Sequence, residues 1–251
     1  MGLLKLLAPL EGGIVCFTGA GGKTSLMYRL AEEIERAGST AICTTTEQML
    51  PPPPGYYSVI EDEVSNIERP ANIPFMVVGR KDSGNSRRYL GYSAEEIDIL
   101  SKQGQADWIL VEVGPSRGRY VLAPDQDMIK YPKGTSLVIG IVGLSAINHD
   151  LESVWVQGVE NFSKVSGLQA AARITEAALA KLATDANGVF RNVPADARRM
   201  LFLNQADTSA TRASGQAIAG LVLSGCSGDH IEGVCIGAAL SGAGVVYEYH
   251  K

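Results

Sequence analysis

The sequence is poor in the residues that hold metal ions or cross-link small proteins. Its 251 residues include four cysteines and three histidines. No cysteines are spaced as C-x-x-C and no Cys/His pairs have zinc spacing, which excludes the common zinc modules. Cys16 and Cys43 lie within apolar runs, where a thiol behaves as a small hydrophobic group. With Cys226 and Cys235, we expect them to be buried and reduced, the usual state in a cytosolic protein.

Long apolar runs and an excess of positive charge are also missing. No run approaches the ~20 apolar residues that a membrane helix needs. The apolar stretch 1–10 has one basic residue, Lys5, and no small-residue cleavage site of the kind that ends a signal peptide. We therefore expect a cytoplasmic protein with no membrane partner. The formal net charge of −5 argues against a nucleic-acid partner, because general nucleic-acid binders usually carry a basic face.

Apolar runs alternate with helical patterns along the chain. The run 13–18 predicts a buried strand, apolar spacing over 24–37 predicts a helix, and 40–44 predicts the next strand. Strand, helix and strand in this order form a βαβ unit with parallel strands. The other predicted strands are 75–78, 108–112, 137–142, 200–203 and 233–236, and the other predicted helices are 93–102, 168–183 and 214–223. Ser93 is expected to cap the first of these helices, with Glu96 at the capping-box position. The pattern predicts one α/β domain over 1–251, with a mostly parallel sheet and helices on both faces.

A glycine-rich segment lies between the first predicted strand and the first predicted helix, which is the context that a phosphate-binding loop requires. Glycines let the backbone turn its amides inward, and a helix start adds free N–H groups and a partial positive charge. The fold is therefore expected to be P-loop NTPase-like, with ATP or GTP and Mg²⁺ as cofactors. The predicted phosphate-binding residues are Gly19, Ala20, Gly21, Gly22, Lys23, Thr24 and Ser25.

Within this loop, Lys23 is expected to place its ammonium beside the β- and γ-phosphates, and Thr24 to bind Mg²⁺. The common loop G-x-x-x-x-G-K-S/T would need a glycine at position 17, where this chain has Phe17. The shorter spacing G-x-x-G-K-T resembles the loop of Mur ligases and folylpolyglutamate synthases. A glycine turn with an exposed lysine is the alternative interpretation.

Two further groups are candidates at the same edge of the sheet. Glu112 ends a predicted strand, where an acid commonly supports Mg²⁺ or orients an attacking water. A surface glutamate at a strand end is the alternative. Thr45, in the run 44–46, follows the second predicted strand and is a candidate metal ligand. The alternative for the threonine run is simple strand propensity.

A polar motif at 204–207 is a candidate for base recognition. It resembles the Asn-Lys-x-Asp motif of GTPases, in which the aspartate reads guanine. Asn204 and Asp207 are the predicted base-binding residues, and Gln205 replaces the lysine. A plain polar turn is the alternative.

Two segments have no assigned role in this scheme. The prolines at 51–54 predict a stiff loop. Arg80, Lys81, Arg87 and Arg88 could bind a phosphorylated or acidic partner, although a solvated charged loop is the favoured interpretation.

Several segments occur in an order that points to one family. They are 19–25, 44–46, 90–92, 95–98, 107–112, 123–124, 137–143 and 203–207. On these segments, over nearly its whole length, the chain resembles the YqeC family of accessory factors for selenium-dependent molybdenum hydroxylases. The resemblance implies a role in selenium or molybdenum cofactor handling, with a molybdenum hydroxylase or its cofactor machinery as partner. The chain departs from the family after Glu112, where Gly114 replaces a second acid, and at Leu122 and Asp127, where relatives carry lysine and histidine.

These observations predict a nucleoside-triphosphate-binding protein. We expect an NTPase or a phosphate or nucleotidyl transferase acting in molybdenum hydroxylase maturation, with Lys23 and Glu112 as its catalytic residues. Two alternatives stay open. One is an ATP-dependent ligase of the Mur or folylpolyglutamate type, which the loop spacing supports. The other is a non-enzymatic adaptor that senses nucleotide, which the replaced acid and histidine support.

Overall fold

The structure, a computed structural model, describes residues 2–82, 84, 88–115, 117–225, 231–241 and 244–250. Arg87 and Cys226 lie outside these ranges. The strands, in chain order, are β1 Gly13–Gly19, β2 Ala41–Thr45, β3 Gln48–Met49, β4 Ser58–Ile60, β5 Phe75–Lys81, β6 Tyr89–Leu90, β7 Trp108–Glu112, β8 Val121–Leu122, β9 Thr135–Gly143, β10 Val156–Gln157, β11 Arg198–Asn204, β12 Gly233–Ala238 and β13 Gly244–His250. The α-helices are α1 Lys23–Arg36, α2 Ala94–Lys102, α3 Val159–Ser166, α4 Glu176–Thr184 and α5 Ser209–Ser224.

One large sheet runs through the molecule in the order β13-β12-β11-β9-β1-β7-β2-β5-β6-β3, and β4 pairs with β5. The pairs from β12 to β5 are parallel, whereas β13, β6 and β3 join the sheet antiparallel. Strands β8 and β10 form a separate parallel pair. The prediction of a mostly parallel α/β sheet is confirmed.

Side chains of β1 alternate between the two faces of the sheet, as the period of a strand requires. Val15 and Phe17 pack on one face with α1, which contributes Leu26. Ile14 and Cys16 pack on the opposite face with α2, which contributes Ile97. Helices therefore cover both faces, as expected for strands that are buried on both sides.

A separate apolar cluster covers the sheet from β9 to β12. Helices α4 and α5 supply Leu179 and Ile218, which pack with Leu201 and Leu203 of β11. Met200 and Phe202, which alternate with these leucines along β11, belong to the cluster under α1 on the other face. Strand β11 is therefore buried on both faces, like β1.

The helix ends follow local signals. Ser93 begins α2 with a reciprocal capping box, in which its hydroxyl accepts from the amide of Glu96 and the Glu96 carboxylate accepts from the amide of Ser93. Thr208 caps α5, which begins five residues before the predicted start at 214. The expected capping box at Ser93 is confirmed.

The prediction of a helix over 168–183 is wrong in its first half. Helix α4 begins at Glu176, where the hydroxyl of Thr175 accepts from the amide of Ala178. The preceding segment instead pairs with 148–151, through the Asp150–Arg173 bridge and the bond from the Leu151 amide to the Ala172 carbonyl. Tertiary pairing overrides the helix propensity of its alanines. Helix α3, at 159–166, was not predicted.

Over the described residues, no helix combines the length and the apolar character needed to cross a membrane.

Candidate functional site

The candidate residues meet at one edge of the sheet because the parallel strands end in register. Phe17 of β1 and Thr45 of β2 both lie opposite Glu112 of β7. On the other side of β1, Gly143 of β9 lies opposite Asn204 of β11. The loop after β1 therefore lies between Glu112 and Asn204, at the carboxyl edge where ligands of such sheets bind.

The glycine loop is closely packed against its neighbours. Gly19, Gly21 and Gly22 have φ values of +84°, +86° and +127°, a region that favours glycine. A Cβ on Gly21 would lie 2.7 Å from the carbonyl oxygen of Tyr120, and one on Gly22 would lie 2.2 Å from Nδ2 of Asn204. Neither the conformation nor the available space accepts a side chain here.

Helix α1 begins at this loop without a side-chain cap. Its N-cap is Gly22, which makes no capping hydrogen bond. The amides of Lys23, Thr24 and Ser25 therefore have no partner within the helix, as at any helix N-terminus. The amide of Ala20, in contrast, donates to the carbonyl of Ile141 at 3.0 Å. Of the predicted loop, the amides at its helix end are the ones positioned to bind an anion.

The ammonium of Lys23 is buried at the centre of the site, with 2% of the residue exposed. Its Nζ donates to the carbonyls of Gly19 at 3.0 Å and Gly114 at 2.7 Å, and lies 3.7 Å from Oε1 of Glu112. Burial lowers the pKa of Lys23, and the charges of Glu112 and Glu47 oppose this shift. The loop, the lysine and the Glu112 strand thus form one connected unit.

The side chains of Thr24 and Glu112 lie in direct contact. The Thr24 hydroxyl donates to Oε2 of Glu112 at 2.6 Å. Within the described ranges, no group of three or more His, Cys, Asp or Glu residues could hold a metal. Two protein oxygens fit Mg²⁺, which usually keeps several waters and uses one or two carboxylates together with substrate phosphates.

Thr45 has a different environment from the one predicted. Its buried hydroxyl donates to the backbone carbonyl of Glu112 at 3.0 Å and accepts from the amide of Glu47 at 3.1 Å. Both bonds hold the ends of β2 and β7 together. The geometry favours a role in positioning Glu112 over one in metal ligation.

Asn204 connects three loops of the site. Its Nδ2 donates to the carbonyl of Gly21 at 2.7 Å, and its Oδ1 accepts from the amide of Ala239 at 2.9 Å. With 3% of its surface exposed, the amide is occupied by the protein itself. Asp207 is exposed and lines a cavity beside the loop. Sequence reasoning predicted base contacts for both residues and missed the bracing role of Asn204, for which its sequence context carries no signal.

Two cavities flank the Thr24–Glu112 pair. The small cavity, of about 220 Å³, includes Gly21, Asn204, Asp207, Ala239 and Arg119 in its lining. The large cavity, of about 930 Å³, lies on the side of Glu112 and the β2 end. The residues shared by both cavities are Thr24, Ser25 and Gly118. A ligand at the helix N-terminus would lie where they meet.

The predicted basic cluster does not form a single surface. Arg80 binds the carboxylate of Glu96 and lies 4.6 Å from the centre of the Tyr92 ring. Lys81 ends β5, in a segment expected to be a loop or hairpin, and Arg88 lines the large cavity. Of this cluster, Arg88 alone among the described residues contributes to the candidate site.

A model of the YqeC protein family matches residues 15–160 of the chain. The chain belongs to the YqeC family. It is 30% identical over 193 residues to a protein of Escherichia coli (strain K12) described as "Uncharacterized protein YqeC", which covers 76% of this chain and 75% of that protein. The range matched to the family includes Lys23, Thr24 and Glu112, whereas Asn204 and Asp207 lie beyond it. The family resemblance is confirmed.

Proposed function

We propose that this YqeC-family protein binds a nucleoside triphosphate together with Mg²⁺ at the N-terminus of α1. The observation that carries the proposal is the uncapped helix start, which lies beside the buried ammonium of Lys23 and the Thr24–Glu112 pair. Free amides, a helix dipole and a buried positive charge together favour a polyanion. A close-packed glycine loop lets the backbone approach that anion.

Different residues of the site contact the phosphates and the metal ion. The amides from Gly21 to Ser25 face the phosphates, and Lys23 pairs with their charge. Thr24 and Glu112 hold Mg²⁺, which neutralises charge on the phosphates when it is bound. Thr45 positions Glu112 through its backbone carbonyl.

The small cavity is the proposed place for the base. Asp207 lines it and is exposed to solvent. A carboxylate accepts hydrogen bonds and cannot donate them, so it suits the paired N–H donors of guanine better than the mixed edge of adenine. We therefore propose GTP over ATP as the preferred nucleotide.

A nucleoside triphosphate bound beside Lys23 and Glu112 suits a reaction at its phosphates. We propose hydrolysis, or transfer of a phosphate or nucleotidyl group, with Lys23 and Glu112 as catalytic residues. Family membership supports a place in the maturation of selenium-dependent molybdenum hydroxylases, with such an enzyme or its cofactor machinery as partner. The buried free thiols of Cys16, Cys43 and Cys235 suit a cytoplasmic location.

Thermal unfolding with ATP or GTP, each with and without Mg²⁺, tests the binding site. A ligand at 100 times its Kd stabilises a protein by about 2.7 kcal/mol, which corresponds to roughly 5–10 °C for a chain of this length. We expect Lys23→Ala to remove most of this shift, because it removes the charge at the centre of the site.

The control is Lys130→Ala, which removes an equal charge from an exposed position and should keep the full shift. A full shift in the Lys23 variant would place the nucleotide elsewhere. Binding without turnover, even with the partner enzyme present, would favour the adaptor over the NTPase or transferase.

A further inference from the structure

The large cavity is a feature of the site that the proposed nucleotide does not fill. Its volume of about 930 Å³ lies within the usual range for small-molecule sites, roughly 300–1,000 Å³. It includes Glu112 and meets the small cavity at Thr24 and Ser25. Any occupant would therefore lie next to the proposed phosphates, on the side away from Asp207.

One wall of the large cavity is apolar and stiff. Met49 and Leu50 line it together with Pro51 and Pro53, which belong to the proline run of the sequence. Leu50 is 60% exposed, so its side chain is available for contact with a ligand. Prolines have a fixed φ, so the wall loses little conformational freedom when a ligand binds. Such a wall suits a flat apolar body.

The lining of the cavity also includes two guanidinium groups, those of Arg88 and Arg117. Both side chains are exposed, and within the described ranges neither forms a salt bridge. The cavity also contains two carboxylates, which partly offset this charge. The Glu112 carboxylate is engaged by Thr24, and burial raises the pKa of Glu47, against the opposing charges of Lys23 and Arg117. The ammonium of Lys23 lies 3.7 Å from Oε1 of Glu112 and offsets its charge. The two guanidinium groups therefore outnumber the one remaining carboxylate, that of Glu47, and the cavity favours an anionic group.

The floor of the cavity contains a buried hydroxyl without a partner. Tyr28 lines the cavity and is 6% exposed, and its hydroxyl makes no hydrogen bond to any described residue. Its ring is fixed by Tyr56, whose centre lies 5.2 Å away. An unpaired buried polar group costs about 1–3 kcal/mol. The oxygen is enclosed by the protein, so the cavity offers a ligand its apolar and charged groups and not this hydroxyl.

We propose that the large cavity binds a second substrate, a small molecule that combines an anionic group with a flat apolar body. Its anionic group faces Arg88 and Arg117, and its apolar body lies against Leu50 and the prolines. That this molecule is a second substrate rests on the proposed function, whereas its binding in the large cavity does not.

The test uses 8-anilinonaphthalene-1-sulfonate, whose sulfonate stands in for a carboxylate or phosphate and whose rings stand in for the apolar body. Its fluorescence is titrated against the folded protein and four variants. Leu50→Asp and Arg117→Ala change the cavity, and both positions are exposed, so the fold is not disturbed. The matched controls are Leu221→Asp on the surface of α5 and Arg36→Ala at the end of α1, which are also exposed.

We expect saturable binding that each cavity variant weakens by about tenfold or more, equivalent to about 1.4 kcal/mol. Neither control should change it, and saturating GTP with Mg²⁺ should not displace the probe. Absence of saturable binding, equal weakening by the controls, or displacement by nucleotide would each overturn the inference.

Failure of this inference is separable from failure of the proposed function. The nucleotide-dependent thermal shift is measured on the wild-type protein and on Leu50→Asp. If the thermal shift persists but the probe does not bind as expected, only the proposed ligand site in the large cavity is wrong. If the wild-type protein shows no shift, the nucleotide proposal fails, and comparison of the cavity variants with their controls still decides the probe site.

Discussion

The two cavities on either side of Thr24 are lined by different kinds of groups. The small cavity is formed by backbone in glycine-favoured conformations and by Asn204, whose polar atoms are paired within the protein. The large cavity is lined mainly by side chains, including exposed Leu50 and the guanidinium groups of Arg88 and Arg117. The comparison indicates that the glycines and Asn204 of the small cavity are intolerant of substitution. Exposed side chains of either cavity, such as Asp207 and Leu50, can be replaced without loss of the fold.

We expect the largest effect from a substitution of Asn204, which should lower the stability of the protein. In Asn204→Ala the carbonyl of Gly21 and the amide of Ala239 lose their buried partner. At about 1–3 kcal/mol for each unsatisfied group, we expect the free energy of unfolding to fall by about 3 kcal/mol. Urea denaturation measures this.

Asn66→Ala is the control, since Asn66 is exposed, and it should change stability by less than about 0.5 kcal/mol. Equal stability of the two variants would show that the hydrogen bonds of Asn204 contribute nothing to the free energy of unfolding. The small cavity would then not be rigid on account of Asn204.

A smaller effect, confined to recognition, is expected at Asp207. Asp207→Ala removes a carboxylate from the small cavity without removing a buried contact, because the residue is exposed. Bidentate base contacts discriminate by about 1–3 kcal/mol, so the preference for GTP over ATP should fall by about tenfold or more. The measurement is the ratio of the two Kd values, with Asp196→Ala, another exposed aspartate, as control.

An unchanged ratio in the Asp207 variant would assign base selection to other parts of the small cavity. A loss of stability in that variant would show that Asp207 supports the loop and does not read the base.

We expect the smallest effect from a substitution of Glu96, which would change how stability depends on pH. The residues involved support the large cavity. Arg80 binds Glu96 and also donates to the carbonyl of Gly91, whose amide bonds the Glu47 carbonyl beside that cavity. Hydrogen bonds from Arg80, with further ones from Ser93, hold the pKa of Glu96 at about 2, below its ordinary value of about 4.5. A lowered carboxyl pKa stabilises the fold above the ordinary pKa, and this contribution is lost as pH falls from about 4.5 to about 2.

Glu96→Gln should remove that part of the pH dependence. Because the pair is partly exposed, we expect about 1 kcal/mol or less at neutral pH, with wild type and variant converging toward pH 2. Unfolding curves between pH 2 and pH 7 measure this. A constant difference across that range would mean that the charge of Glu96 is not the stabilising factor.

Prediction from sequence succeeded where the signal was local. The strand over Trp108–Glu112 was predicted with its correct bounds, since an apolar run bounded by polar residues defines a buried strand. The Ser93 capping box was predicted from two residues three positions apart. The helix expected over 168–183 failed because its first half pairs with residues about twenty positions earlier, and alanine content carries no information about that pairing.

The candidate site shows the same division. From the sequence, the glycine loop, Lys23, Thr24 and Glu112 could be placed at one edge of the sheet, because each stands directly after a strand, at the end of a strand or at a helix start. The sequence carried no signal that the side chains of Thr45 and Asn204 bond backbone groups of distant segments. It had no signal for the burial of the Tyr28 hydroxyl, which has no hydrogen-bond partner among the described residues.

By itself, the sequence determined the alternation of strands and helices, the glycine loop at the start of α1 and membership of the YqeC family. These depend on hydrophobic period, on backbone freedom at glycine and on the order of short motifs, all of which are local properties of the chain. The tertiary structure alone decided that Asn204 closes the small cavity and that Tyr28, Leu50 and Arg117 share the large one. Those contacts join residues that are far apart in the chain, and they arise only when the parallel strands come into register.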